Sequence, residues 1–213
     1  MKDKIVVIGG GGHAKVIVSV LKKLNKYEIV GYTDPENKGE ILGVPYLGND
    51  KTLNSLYKDG VNYAFIGLGQ IKSAERRRKL VGICKSIGFN FPAIISPNAI
   101  INEDVSIGNG AVVMDGVTIN SSSTIGEFSI VNTNASIDHD CSIGDFTHIA
   151  PGVTLSGEVN IGNNVLIGAG ACIIQQIKIV DKTIISSGSS VQKNITKVGI
   201  YMGVPAKFLK GIN

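Results

Sequence analysis

The chain has 213 residues, 43% of them hydrophobic and 18% charged, which is enough to bury a core and excludes wholesale disorder. It has no run of 18 apolar residues, no leader pattern before the first strand, and only three scattered cysteines (Cys84, Cys141, Cys172); membrane insertion, a signal peptide, a disulfide framework and a zinc site are not expected, and the default is a reduced cytoplasmic protein. The net charge of +4 divides into +7 over residues 1–96 and −3 over 97–213; this suits a small anionic ligand and lacks the concentrated basic patch of a nucleic-acid protein.

The first part alternates strand and helix signals. Lys4 to Ile8 is a short β-branched run ending in glycines, which reads as a buried parallel strand. His13 to Leu24 reads as a helix with Val16, Val20 and Leu24 on one face. Ile29–Tyr32 is a second strand, and a polar 17-residue loop follows from Asp34 to Asp50. Lys51 to Lys58 predicts a short helix and Tyr63–Ile66 a third strand ending at Gly67. Ser73 to Ile87 predicts another helix, on which Arg76, Arg77 and Arg78 read as a solvated face. Phe89 to Ile95 predicts a fourth strand. This alternation predicts a small parallel Rossmann-like βαβ sheet over residues 1–96.

From Ile95 onward every sixth residue is Ile, Val or Leu, seventeen times without a gap, ending at Val191. Such residues fill 63 of 213 positions, so chance gives this run about once in a billion per register. The residue four places after each is usually small or β-branched, as at Ser123, Ala135, Cys141 and Thr147. The residue one place after is often Gly, Asn or Asp, and these are the types expected to take left-handed corners. The pattern predicts a triangular parallel β-coil over residues 97–213. It would have three hexads per turn and a prism about 27 Å tall. The coil would be capped at its C-terminal end by a short helix from Pro205 to Lys210.

Two regions carry polar residues suited to chemistry. The first is Gly9-Gly10-Gly11-Gly12-His13-Ala14, between the first strand and helix. It fits a glycine loop whose backbone approaches a phosphate. Asp34 stands where an acid would bond a ribose hydroxyl, and Gly67 can line the same crevice. Only about four strands fit before the hexads, too few for a complete dinucleotide sheet. The second region is in the coil. His139 stands between Asp138 and Asp140, a placement suited to a general base. Asn132 precedes it by one corner and His148 follows it. Two coil histidines are too few for the three-histidine metal site of coil-type carbonic anhydrases, and no metal is expected. Cys141 falls at a small inward position and reads as packing.

The unbroken hexads resemble the left-handed β-helix acyltransferases of the hexapeptide-repeat superfamily. The GGGGHA start, the IDHDCSIGDFTHIAPG stretch and the GVPAK ending (Gly203 to Lys207) narrow this. They resemble the bacterial sugar acetyltransferases named for sialic acid O-acetylation, and within them the nucleotide-4-aminosugar N-acetyltransferases. The resemblance covers essentially the whole chain. It implies an α/β domain holding a nucleotide-linked sugar, then a left-handed parallel β-helix with a C-terminal cap, assembled as a homotrimer. It also implies acetyl-CoA as co-substrate. By resemblance His139 is the general base, Asp140 orients it, and Asn132 approaches the sugar amine. His148 and the Gly157 N–H lie near the thioester, and the pantetheine runs past Ala169 and Ser187. Gly11, Gly12, His13 and Asp34 would hold the nucleotide. The expected reaction is N-acetylation of a nucleotide-linked 4-amino-6-deoxysugar. O-acetylation of a sialic acid-like sugar, a non-catalytic sugar-binding coil and an NAD-dependent enzyme stay open as alternatives.

Overall fold

The first apolar run forms β1 (Asp3–Ile8), buried over its last four residues. It is followed by α1 (Gly12–Leu24) and β2 (Tyr27–Thr33), then, after the polar loop, by α2 (Leu53–Lys58), β3 (Tyr63–Ile66) and α3 (Glu75–Ile87). This is a computed structural model that describes residues 2–71 and 73–212. The chain forms two compact units, one ending at Pro97 and one beginning at Asn98.

In the first unit three parallel strands lie in the order β2-β1-β3. β1, at the centre, is covered on both faces, with Ile5, Val6 and Val7 fully buried. The chain leaves β1 to one side for β2 and to the other for β3, so the C-terminal end of β1 is the switch point where an open α/β sheet offers a crevice. α1 buries Ala14, Ile17, Val18, Val20 and Leu21, so of the expected face Val20 is buried, Leu24 is half-buried and Val16 is exposed. The expected fourth strand does not join this sheet: Asn90 makes one bridge to Tyr63, Pro92 follows with no N–H to continue the ladder, and only Ile94–Ile95 is a strand.

The second unit is the coil. One face stacks Val112–Val113, Ile130–Val131, His148–Ile149, Leu166–Ile167 and Ile184–Ile185. The second runs from Ile100–Ile101 through Ser136–Ile137 to Ser190–Val191. The third runs from Ser106–Ile107 to Lys178–Ile179. Every ladder is parallel with a step of 18 residues, which is three hexads. From Val113 to Val191 each sixth residue is buried. Ser123, Ser129 and Thr147 lock successive turns. Each hydroxyl donates to a carbonyl of the next turn (Asp138, Gly144, Gly162) at 2.8 Å and accepts an N–H from Cys141, Thr147 or Val165.

The corners correct one expectation. Positive φ falls three residues after the inward aliphatic, at Ser122, Asn134, Asp140 and Glu158, not one after. The glycines one residue after serve close approach instead. A Cβ on Gly126 would lie 2.6 Å from Asp145 N, and one on Gly144 2.6 Å from the carbonyl carbon of Gly162. The C-terminal helix is also corrected. Lys207–Lys210 pairs antiparallel with Ile200–Met202, and Phe208 packs edge-on against Tyr201 at 5.5 Å. Pairing extends the last ladder of the first face, so the cap is a hairpin.

Candidate active site

The glycine loop, Asp34 and the end of β3 converge on one cleft of 390 Å³. Gly11, Gly12, His13, Asp34 and Gly67 all line it, so the first unit brings together every residue expected there. Gly11 is the N-cap of α1 and supplies no side-chain cap, so the first N–H groups of the helix keep their donor capacity. A Cβ on Gly11 or Gly12 would meet nothing within 4 Å, which leaves the loop backbone open to a ligand. Gly67 has no such space, since a Cβ there would come 2.8 Å from Val7 and 3.0 Å from Ala14. Asp34 braces the loop. Its Oδ2 accepts from Gly10 N at 2.8 Å and its Oδ1 from Glu36 N at 3.0 Å.

The sequence reading missed part of this cleft. Ser73, Arg76 and Arg77 also line it, and Arg77 is buried, not solvated. Its guanidinium donates to Gln70 Oε1 at 3.1 Å, and burial brings its pKa down to about 10. Leu80, Val81 and Cys84 mark the inward stripe of α3, and Arg77 belongs to it at helical spacing. That stripe was visible in the sequence behind a run of three like charges.

In the coil, the corner between the second and third faces holds His139. Its Nδ1 lies 2.7 Å from Asp140 Oδ2. A carboxylate only accepts, so Nδ1 carries the proton and the Nε2 lone pair is left available. Asp140 reaches the ring from a left-handed backbone position, φ 56°. Both side chains are more than half exposed. The bond from Asp140, and then the nearby charges of Asp138, Asp140 and Glu158, raise the imidazole pKa. Gly157 lies one turn on, with Glu158 N donating to His139 O at 2.9 Å. A Cβ on Gly157 would sit 2.6 Å from His139 Cε1 and Nε2. The Gly157 N–H has no protein acceptor among the described residues. Gly157 thus packs against the imidazole edge that carries Nε2. Cys141 is buried there, which pushes its thiol pKa up, and its Sγ–H reaches Ser156 O at 3.3 Å.

The preceding corner, between the first and second faces, carries Asn132, Ala169 and Ser187. Asn132 Oδ1 accepts from Thr133 N at 2.8 Å, which fixes the amide orientation. Its Nδ2 then faces His148 Nε2 at 3.2 Å, with that ring nitrogen as the acceptor. Ala169 and Ser187 are exposed residues whose N–H groups donate to no protein group among the described residues. Within one chain, then, His139, Asp140 and Gly157 share one corner. Asn132, His148, Ala169 and Ser187 lie on another corner and the first face. No group of three or more His, Cys, Asp or Glu able to hold a metal ion occurs among the described residues.

A hexad coil with a carboxylate-bonded histidine at its corner, preceded in the chain by an α/β unit with a glycine-lined cleft, defines the hexapeptide-repeat acyltransferases as a class. Residues 4–81 match the model of the PglD N-terminal domain and residues 122–157 that of the bacterial transferase hexapeptide (six repeats). The perosamine N-acetyltransferase PerB from Caulobacter crescentus, solved with CoA and GDP-perosamine, is 35% identical, with 97% of each chain covered and a TM-score of 0.90. The acetyltransferase domain of PglB from Neisseria gonorrhoeae, solved with acetyl coenzyme A, is 32% identical over 98% of this chain and 100% of that one, with a TM-score of 0.91. WeeI from Acinetobacter baumannii is 25% identical over 98% and 100%, with a TM-score of 0.83. Curated proteins give no match. The chain belongs to the PglD-type family of left-handed β-helix acetyltransferases.

Proposed function

We propose that this chain is an acetyl-CoA-dependent N-acetyltransferase acting on the 4-amino group of a nucleotide-linked aminosugar. The observation that carries this reading is the second corner: a histidine with Nδ1 held by Asp140, Nε2 free, and an unengaged Gly157 N–H beside it. The cleft of the first unit supports a nucleotide-bearing acceptor, because open glycines and an uncapped helix start favour phosphate. The PerB structures contain CoA and GDP-perosamine, in one case with a single histidine replaced by asparagine.

In the reaction His139 Nε2 accepts a proton from the sugar amine as its nitrogen forms a bond to the acetyl carbon. The Gly157 N–H stabilises the charge that develops on the acetyl oxygen, worth several kcal/mol in such sites. Acetyl-CoA supplies the acyl group, and the C–S bond breaks with its electron pair leaving on sulfur. Asn132 orients the amine, and Ala169 and Ser187 offer N–H groups to the pantetheine arm.

The two corners complete one site when neighbouring copies assemble, and we place the site in a homotrimer. The first face favours this: Leu166 and Ile184 point outward and are half-exposed, where the other two faces carry Ser, Thr, Asn and Lys apart from Ile100 on the first turn and Cys172. No helix among the described residues is long and apolar enough to cross a membrane. Three free cysteines and use of acetyl-CoA fit the cytoplasm.

The test is release of CoA thiol with a panel of nucleotide 4-aminosugars, beginning with GDP-perosamine, and with free sialic acid. Release with one aminosugar, reduced about 10²–10⁴-fold in His139→Ala, is expected. Because the neutral imidazole is the base and its pKa is raised, the rate climbs with pH through that raised value and levels above it. An unchanged rate in His139→Ala would overturn the catalytic assignment. Release with sialic acid alone would move the reading to O-acetylation.

A further inference from the structure

Below His139 the corner carries a column of side chains that the reaction itself does not use. Asn102, Asn120 and Asp138 are spaced by 18 residues and so stack on three successive turns. Asn102 Nδ2 donates to Asn120 Oδ1 at 2.8 Å, and Asn120 Nδ2 donates to Asp138 Oδ1 at 2.8 Å. The same Asp138 oxygen accepts the backbone N–H of His139, also at 2.8 Å. The amides all point their donors the same way, toward the carboxylate, and a chain of aligned dipoles strengthens each member. We propose that the Asn102–Asn120–Asp138 ladder is a positioning device for the base, with Asn120 holding Asp138 in the orientation that fixes the His139 backbone.

The geometry supports this in two ways. First, the equivalent N–H at the third corner is engaged differently: Glu127 N and Asp145 N donate to side chains of the next turn, Asp145 and Asn163. The N–H of His139 instead donates to the residue just before it, so its tether depends on how Asp138 is held. Second, the imidazole is otherwise tied down by one bond, to Asp140. The bonds from Asn120 and from the His139 N–H hold the Asp138 carboxyl below its ordinary pKa. Asp138 therefore stays ionised through the working range. The charged groups around the ring are Asp138, Asp140 and Glu158, and all three favour the protonated imidazole.

The proposal rests on the acetyltransferase reading for its catalytic consequence, but not for its physical test. Asp138→Asn keeps an oxygen for both donors and removes the charge. Asp138→Leu removes both. Asn120→Leu removes the donor to Asp138 and leaves the charge. Proton NMR titration of the His139 ring in the ligand-free protein is expected to show its pKa falling in both Asp138 variants. The carboxyl pKa of Asp138 is expected to rise in Asn120→Leu. With aminosugar and acetyl-CoA, the acid limb of the pH–rate profile moves down with the ring pKa in both Asp138 variants. The plateau kcat of Asp138→Leu falls about tenfold below that of Asp138→Asn, at unchanged KM for acetyl-CoA. Asn120→Leu lowers the plateau without moving the limb. Equal plateaus in Asp138→Leu and Asp138→Asn would overturn the proposal, as would an Asn120→Leu protein with wild-type Asp138 titration. If the wild-type protein acetylates nothing, the functional reading fails while the NMR titrations still decide whether the ladder holds Asp138.

Discussion

Gly157 and His139 act on each other through space. Glycine is needed at 157 for room and not for a special backbone angle, because its φ is not in the left-handed range while a Cβ would press on the imidazole edge at 2.6 Å. Gly157→Ala keeps the N–H that would serve as oxyanion donor and pushes the ring aside, away from Asp140. Loss of that contact lowers the raised imidazole pKa toward its ordinary value. The expected result is a fall in kcat of about 10²-fold, little change in thermal midpoint, and an acid limb shifted to lower pH. A variant with full rate and an unmoved limb would mean the ring already has freedom there. The histidine, its acids and the glycine loop are legible in the sequence because they are short, local patterns. Arg77 is legible only through the helical stripe it shares with Leu80, Val81 and Cys84, masked by the run of three arginines, and Asn120 is not legible, because it acts through neighbours at 18-residue spacing rather than by adjacency.

The hexad coil puts nearly all of its information in a period, and a period is what a sequence displays best. The inward column, the parallel ladders and the small residues at the fourth place follow from it. The corner geometry does not, since Gly at the first place and a left-handed residue at the third give the same count of special residues per hexad. The two kinds of corner glycine have different energetics. Gly144→Ala would drive a Cβ against the backbone of the next turn, and neither backbone can yield without opening the ladder. Gly152→Ala has open space but a φ of +67°, a strain of about 1–2 kcal/mol. Denaturant unfolding should therefore show a loss of about 1–2 kcal/mol for Gly152→Ala and a clearly larger one for Gly144→Ala. The reverse order would mean that the turns slide to admit a methyl group. The hairpin in place of a C-terminal helix has a similar origin. Residues 205–210 are too few for a stable helix alone, and the free edge of the last turn offers them backbone partners.

At the scale of the assembly, the placement of the site residues itself makes a prediction. His139 and Gly157 occupy the corner after the second face, whereas Asn132 follows the first face and bonds His148 on it. In the proposed trimer a site takes its base from one copy and its amine-orienting asparagine from the next. His139→Ala and Asn132→Ala homotrimers are then both nearly inactive, for different missing parts. Co-expressed with two affinity tags and purified through both, the two variants form mixed rings. Every such mixed ring contains one junction of three at which a chain with an intact His139 is followed by one with an intact Asn132, so about a third of its sites are complete. Activity should accordingly recover to about a third of wild type, and it should vanish when the same two changes are placed in one chain of a ring whose other chains are His139→Ala. If each site were built within a single chain, every site in the mixed rings would lack one part and no activity would return.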